Sequence, residues 1–554
     1  MLKKEIGGMI KMNMKKWALT TIATSALVVS LAACSTGSKK EEATGDKKQV
    51  LKVLESAELP TMDISQATDV VSFSAISQVM EGLYEFADDS TSAPAIAKEV
   101  VAPTNDGKKY TIELRDDAKW SNGDPVTAKD FVYSWKRTVD PKTGSEYAYL
   151  FDGFENYKAI SKGEKPAADL GVKAVDDHTL EINLEYPIPY LSSLLAKPTF
   201  YPLNEKFVEE KGKDYGTNSD NMIYNGPFTL ADWDGTSITW NYMKNDKYRA
   251  ADKVKLDEVN VQVSKEIGTN VNLFKAGETD IAPIKGEYVD QEKENPELVT
   301  RIYPSTSYLQ YNTENKVFAN KNARNAITKL INSDQIAKNI LKDGSMAIEA
   351  FVPKGIANQE TGKDFAEEAG ALMKTDIEGG KKLWEDAKKE LGVDSASITL
   401  LTSDTDSAKK LSEYVQGLLT ENLSGLKVTI SSVPFKNRLD QMSKGDFDVV
   451  LAGWAATYAD PYDFLQLFRT GGEQNYGKFS NEEFDKLLTE SATTYATENE
   501  KRWNTLLDAQ KVLMENSPVT PLYQASEAFL VNDRVEGLVY RAIGAPYYKN
   551  VSLK

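Results

Sequence analysis

The chain has 554 residues, 41% of them hydrophobic and 27% charged, and its formal net charge is −17. That length exceeds what one continuous core accommodates and predicts three or four domains, in a composition ordinary for a soluble globular protein. The acidic balance excludes a binder of nucleic-acid phosphates, which needs a basic face, and the single cysteine excludes an internal disulfide or a thiolate metal cluster.

From the N-terminus, Lys15 and Lys16 precede an uncharged stretch, residues 17–33, that ends in small residues. Basic, then apolar, then small is the layout of a secretory signal peptide. The stretch is shorter than the ~20 residues that span a bilayer. Leu31-Ala32-Ala33-Cys34 resembles a lipobox, whose cysteine is diacylated and becomes the mature N-terminus. A thioether-linked lipid there holds the chain to a membrane, each buried methylene contributing ~0.8 kcal/mol. Residues 1–33 carry five Lys and one Glu, so removing their +4 leaves −21 on the remainder. Residues 35–49, STGSKKEEATGDKKQ, have no apolar periodicity and read as a solvated tether.

Strand and helix patterns then alternate. Residues 109–114 alternate polar and apolar and lead into a turn-rich segment ending at Pro125. Thr127-Ala128-Lys129-Asp130 is a variant capping box ahead of an apolar stripe at Phe131, Trp135 and Val139, in a helix that stops near Asp140-Pro141. His178, the only histidine, falls in a hairpin turn between strand patterns at 171–175 and 180–184. Residues 398–402 read as a strand, while Leu411, Val415, Leu418 and Leu419 form one helical face. Gly425 precedes another strand, 426–430, and a helical segment near 438–444 leads to a strand at 447–453. Strands separated by helices predict parallel α/β units in mixed-sheet domains.

Catalytic chemistry is hard to place. With one histidine in a turn and no spare cysteine, a Ser-His-Asp triad, a Cys-His pair and a typical zinc site are excluded. Gly-rich phosphate loops and an EF-hand pattern are absent, so no cofactor is expected. Asp460 and Asp463, near Trp454 and Tyr458, are the one acidic set in an aromatic setting. Aromatic runs at 147–149, 454–458 and 547–548 suit cores and ligand clefts alike. These residues alone describe an anchored, multidomain α/β binding protein without a visible catalyst.

Residues 120–147, WSNGDPVTAKDFVYSWKRTVDPKTGSEY, resemble the signature of the oligopeptide-permease solute-binding proteins, family 5 of the bacterial extracellular solute-binding proteins. Asn225-Gly226-Pro227-Phe228, residues 274–280 (FKAGETD) and residues 446–465 (DFDVVLAGWAATYADPYDFL) match as well, and the similarity runs from about residue 50 to the end. The resemblance implies an α/β, two-lobed periplasmic-binding-protein-like fold with an extra domain, hinged to close over a peptide. Placed here, domain I comprises 50–80, 207–308 and 525–554, domain II 81–206, and domain III 309–524. It implies a monomeric receptor, not an enzyme, anchored through Cys34 outside a Gram-positive cell. Such a receptor hands peptides to the transmembrane subunits and ATPases of an ABC import permease.

In that family the ligand main chain is hydrogen-bonded between a strand of each half, matched here by Thr68-Asp69-Val70 and Gly453-Trp454-Ala455. Tyr147 matches a position near the peptide N-terminus and Phe435 one where an aromatic lines a side-chain pocket; Tyr458 continues the aromatic run. One departure stands out. Many members carry an aspartate three residues after this tryptophan to pair with the ligand α-ammonium, and here that position is Thr457. A hydroxyl carries no charge, and a buried ammonium without a partner is unfavourable. Asp69 or Asp460 is therefore expected to supply the charge, or the ligand to extend past that point. An arginine that serves short-peptide carboxylates in some members is replaced by Leu451. A non-peptide ligand, such as a nickel complex or oligosaccharide, and an adhesin or chaperone that kept the fold are the alternatives.

Overall fold

Ten strands hydrogen-bond into one mixed sheet. In spatial order they are Leu426–Val433, Ala396–Ser403, Val449–Ala455, Leu298–Tyr311, Val519–Val531, Ile281–Ile284, Val50–Glu55, Glu258–Val263, Thr239–Lys244 and Phe228–Ala231. The computed structural model describes residues 48–554 except 359, 360 and 473, together with all side chains but those of 406, 435 and 436. The leader, Cys34 and most of the tether lie outside the described residues. The tether ends earlier than its composition suggests. The Gln49 amide exchanges hydrogen bonds with Leu553, its N–H donates to Asp257 at 2.7 Å, and Lys48 pairs with Glu258.

Two long strands organise the sheet. Leu298–Tyr311 and Val519–Val531 pair antiparallel, with register irregularities between Ile302 and Thr306 and between Ser307 and Tyr308. Before the irregularity, Val519–Val531 is flanked by Ile281–Ile284, through which the N-terminal strands join. After it, Leu298–Tyr311 is flanked by Val449–Ala455, which leads to the parallel strands of the C-terminal half. The irregular register bends the pair where the two halves of the sheet meet.

A separate three-stranded sheet, Lys109–Glu113, Thr179–Asn183 and Val172–Asp176, carries His178 in its hairpin turn. Against it packs the helix Ala128–Val139, opened by the Thr127–Asp130 capping box and capped at Asp140. Its Trp135 is fully buried within about 6 Å of Phe131, Phe151, Phe154 and Phe200, and its indole N–H donates to the Phe200 carbonyl at 2.9 Å. The Asn225-Gly226 pair has a packing reason too. Asn225 bonds both backbone groups of Glu81, and a Cβ at Gly226 would lie 2.5 Å from the Met80 nitrogen.

The elements expected in the C-terminal half are present as Ala396–Ser403, Asp406–Asn422, Leu426–Val433 and Phe435–Lys444. The last strand begins at Val449, not at 447. Asp448 accepts from Asn315 and from the Thr399 N–H, and the Phe447 carbonyl accepts from Asn312, so side chains hold this connection out of the ladder. Among the described residues, no helix is long and apolar enough to cross a membrane.

Candidate functional site

Val449–Ala455 has one closed edge and one open edge. Along the first it pairs with Leu298–Tyr311, Gly453 facing Ser307, Trp454 facing Thr306 and Ala455 facing Ser305. Along the second, the parallel partner Ala396–Ser403 pairs only at Val449 and Val450. From Leu451 to Ala455 that edge has no strand partner among the described residues. An unpaired edge is a template for another extended chain.

Beside it opens a cavity of ≈ 470 Å³, walled by Ser403, Thr405, Arg438, Leu451, Gly453 and Trp454. Ser305 lines it as well, and its buried hydroxyl has no hydrogen-bond partner among the described residues. The fold itself does not require glycine at 453. Its backbone is not in the left-handed region, and an added Cβ would meet only the Thr306 carbonyl, at 3.6 Å. Leu451 brings no charge, yet a guanidinium is present. Arg438 reaches in from the neighbouring helix and donates to the Leu451 carbonyl at 3.0 Å. Phe435 opens that helix, but its side chain lies outside the described residues.

Thr68-Asp69-Val70 is not a strand. Asp69 is the N-cap of the helix Val70–Val79, accepting from the Ser72 N–H at 2.8 Å, because an Asp ahead of an apolar run satisfies a free helix-terminal donor. Thr68 is exposed, Asp69 half-buried, and Val70 is 64% exposed. One turn on, Phe73 meets the half-buried Tyr147 edge to face at 5.5 Å, and burial pushes the Tyr147 phenol well above its ordinary value.

The stretch after Trp454 divides. The Thr457 hydroxyl and N–H both donate to Asp463, each at 2.6 Å, and the Trp454 indole N–H approaches the same carboxylate at 3.4 Å. Asp463 is fully buried, and burial pushes it up to about 6 despite those donors. The carboxylate missing at Thr457 is thus present in space, supplied from six residues further on. Asp460 is not available for a ligand ammonium, which corrects one expectation. Both its oxygens are taken by Arg502, each at 2.8 Å, in a buried pair. Tyr458 is buried too, stacked on Tyr190 at 4.3 Å.

Sequence reasoning missed Lys197. This lysine is 8% exposed, its Nζ 5.6 Å from the Tyr147 ring centroid and 5.9 Å from that of Phe73. Burial pulls it down to about 8, partly opposed by the charge of Asp463. Neither a motif nor a periodicity surrounds it, so no sequence signal marked it. For Asp463 the aromatic setting was such a signal.

Comparison with known proteins bears on this geometry. A family model described as bacterial extracellular solute-binding proteins, family 5 Middle, matches residues 91–476. A dipeptide-binding protein of Lactococcus lactis is 36% identical, covering 95% of this chain and 97% of its own. The oligopeptide-binding protein OppA of Bacillus subtilis is 32% identical over 98% and 100%. The solved structure of Listeria monocytogenes OppA bound to peptide superposes with a TM-score of 0.82 at 43% identity, covering 92% of this chain and 99% of that one.

Proposed function

The chain belongs to the bacterial extracellular solute-binding proteins of family 5, and from that premise we propose that it is a lipid-anchored receptor that captures oligopeptides for an ABC import permease. The observation that carries the reading is the open strand edge from Leu451 to Ala455 beside a ≈ 470 Å³ cavity, in a fold shared with a peptide-bound relative. A peptide main chain completes that edge, and the cavity takes one of its side chains in a wet, weakly selective pocket. Thr68, Asp69, Val70 and Tyr147 face the ligand from the other side, with Asp69 the carboxylate that meets its α-ammonium.

The two lobes follow the bend in the long strand pair. In this reading domain I is 50–80, 207–308 and 525–554, domain II 81–206 and domain III 309–524. The stacking of Tyr190 on Tyr458, and the Ser193 hydroxyl accepting from the Ala459 N–H at 3.3 Å, then join domains II and III across the closed cleft. Cys34 carries the lipid after signal-peptide removal, on the outer face of a single-membrane cell, and the receptor acts as a monomer.

Native mass spectrometry of the protein purified without denaturation tests the reading. Retained peptides of mixed sequence are expected, and their masses give the preferred length. An empty cleft that also takes nothing from a mixed peptide library would sink peptide capture and favour a non-peptide ligand or an adhesin.

A further inference from the structure

The Lys197 side chain is largely buried, and its ammonium has no protein acceptor among the described residues. Among the described residues it makes neither a hydrogen bond nor an ion pair; its neighbours are the rings of Tyr147 and Phe73, and Asp463 reaches it only through space. The Asp463 carboxylate is itself occupied by Thr457 and Trp454. Leaving a desolvated cation without an acceptor is unfavourable, and two aromatic faces offset only part of the loss. The fold derives no structural tie from the ammonium.

Its position explains the arrangement. Lys197 lies among Tyr147, Phe73 and Asp463, and Asp463 is bonded to Trp454 and Thr457 at the end of the open edge. A second cation brought to that spot would be repelled, whereas an anionic acceptor would complete it. We propose that Lys197 is a specificity-determining residue that receives a carboxylate of the bound peptide, from an acidic side chain or from the C-terminus. The inference rests on the peptide reading above. It adds that this receptor selects a negative group beside Tyr147.

The test uses the full chain in detergent and alanine-based hexapeptides as probes. The set comprises the free acid, the C-terminal amide, and amides bearing one glutamate at each position in turn. The native protein is expected to bind one carboxylate-bearing form about tenfold to a hundredfold more tightly than the plain amide. Which form wins identifies the source of the carboxylate. Lys197→Met should abolish that preference while leaving affinity for the amide intact, and Lys197→Arg should restore part of it. Removing a largely buried cation that has no protein acceptor should also raise the Tm of the ligand-free protein, whereas removing a structural lysine would lower it. Equal affinity of the native protein for all probes would overturn the proposal, as would a uniform loss in Lys197→Met with a lowered Tm. If no probe binds and no cellular peptide is retained, the peptide reading itself fails and this inference falls with it.

Discussion

Asp460 and Asp463 lie three residues apart and end in different chemical states. The first is neutralised by a bidentate guanidinium; the second is held by neutral donors and burial, with the Lys197 charge acting on it through space. A buried carboxylate whose value is raised stabilises the fold while protonated, so its contribution is full below 3.8 and is lost as pH rises through about 6. Thr457→Asp sets a second carboxylate against the first, where two like charges cannot both ionise freely. The variant is expected to melt near the parent at pH 5 and well below it at pH 8, with no gain in affinity for a free N-terminus. Thermal melts at the two pH values check this; equal melting at pH 8 with tighter ammonium binding would mean that Asp463 does not face the introduced carboxylate. Asp463 was legible in the sequence through its aromatic neighbours. Lys197 was not, because its environment is assembled from residues 73, 147 and 463, which no local pattern connects.

The strand Val449–Ala455 and the helix Val70–Val79 show what local pattern does and does not reveal. Alternation and capping chemistry predicted the C-terminal strands, the Asp406–Asn422 helix and the Thr127 cap, because periodicity is a property of the chain itself. Thr68–Asp69–Val70 was expected as a strand through resemblance, although Asp before Val-Val-Ser carried the local signal of a helix start. An open edge is not legible at all, since it depends on where a neighbouring strand stops. Two glycines test the difference between fold and site. Gly226→Ala drives a Cβ into the backbone of Val79 and Met80 and should cost about 1–3 kcal/mol in urea unfolding. Gly453→Val places its Cβ in ordinary contact with the Thr306 carbonyl, in a strand, and should leave stability within about 0.5 kcal/mol. In the proposed complex its side chain nevertheless stands where the ligand main chain approaches, so peptide affinity should fall at least tenfold. Intact affinity would return Gly453 to the role of a strand end.

Across the whole molecule, the discontinuous domain plan left no trace in periodicity or composition; the family motifs alone suggested it. The ten-stranded sheet accounts for the difficulty, because in the proposed plan its two long strands pass from one half to the other, close to the register break between Ile302 and Thr306. The hinge proposed within these paired strands carries no Gly/Pro-rich linker to mark it. The central claim, that a peptide adds to the open edge beyond Val450, is tested most directly by hydrogen exchange of backbone amides with and without saturating peptide. The account predicts slowed exchange at 451–455 and at 68–70, with amides of the Leu298–Tyr311 and Val519–Val531 pairing unchanged outside the hinge. Bound peptide with unaltered exchange at 451–455 would contradict it.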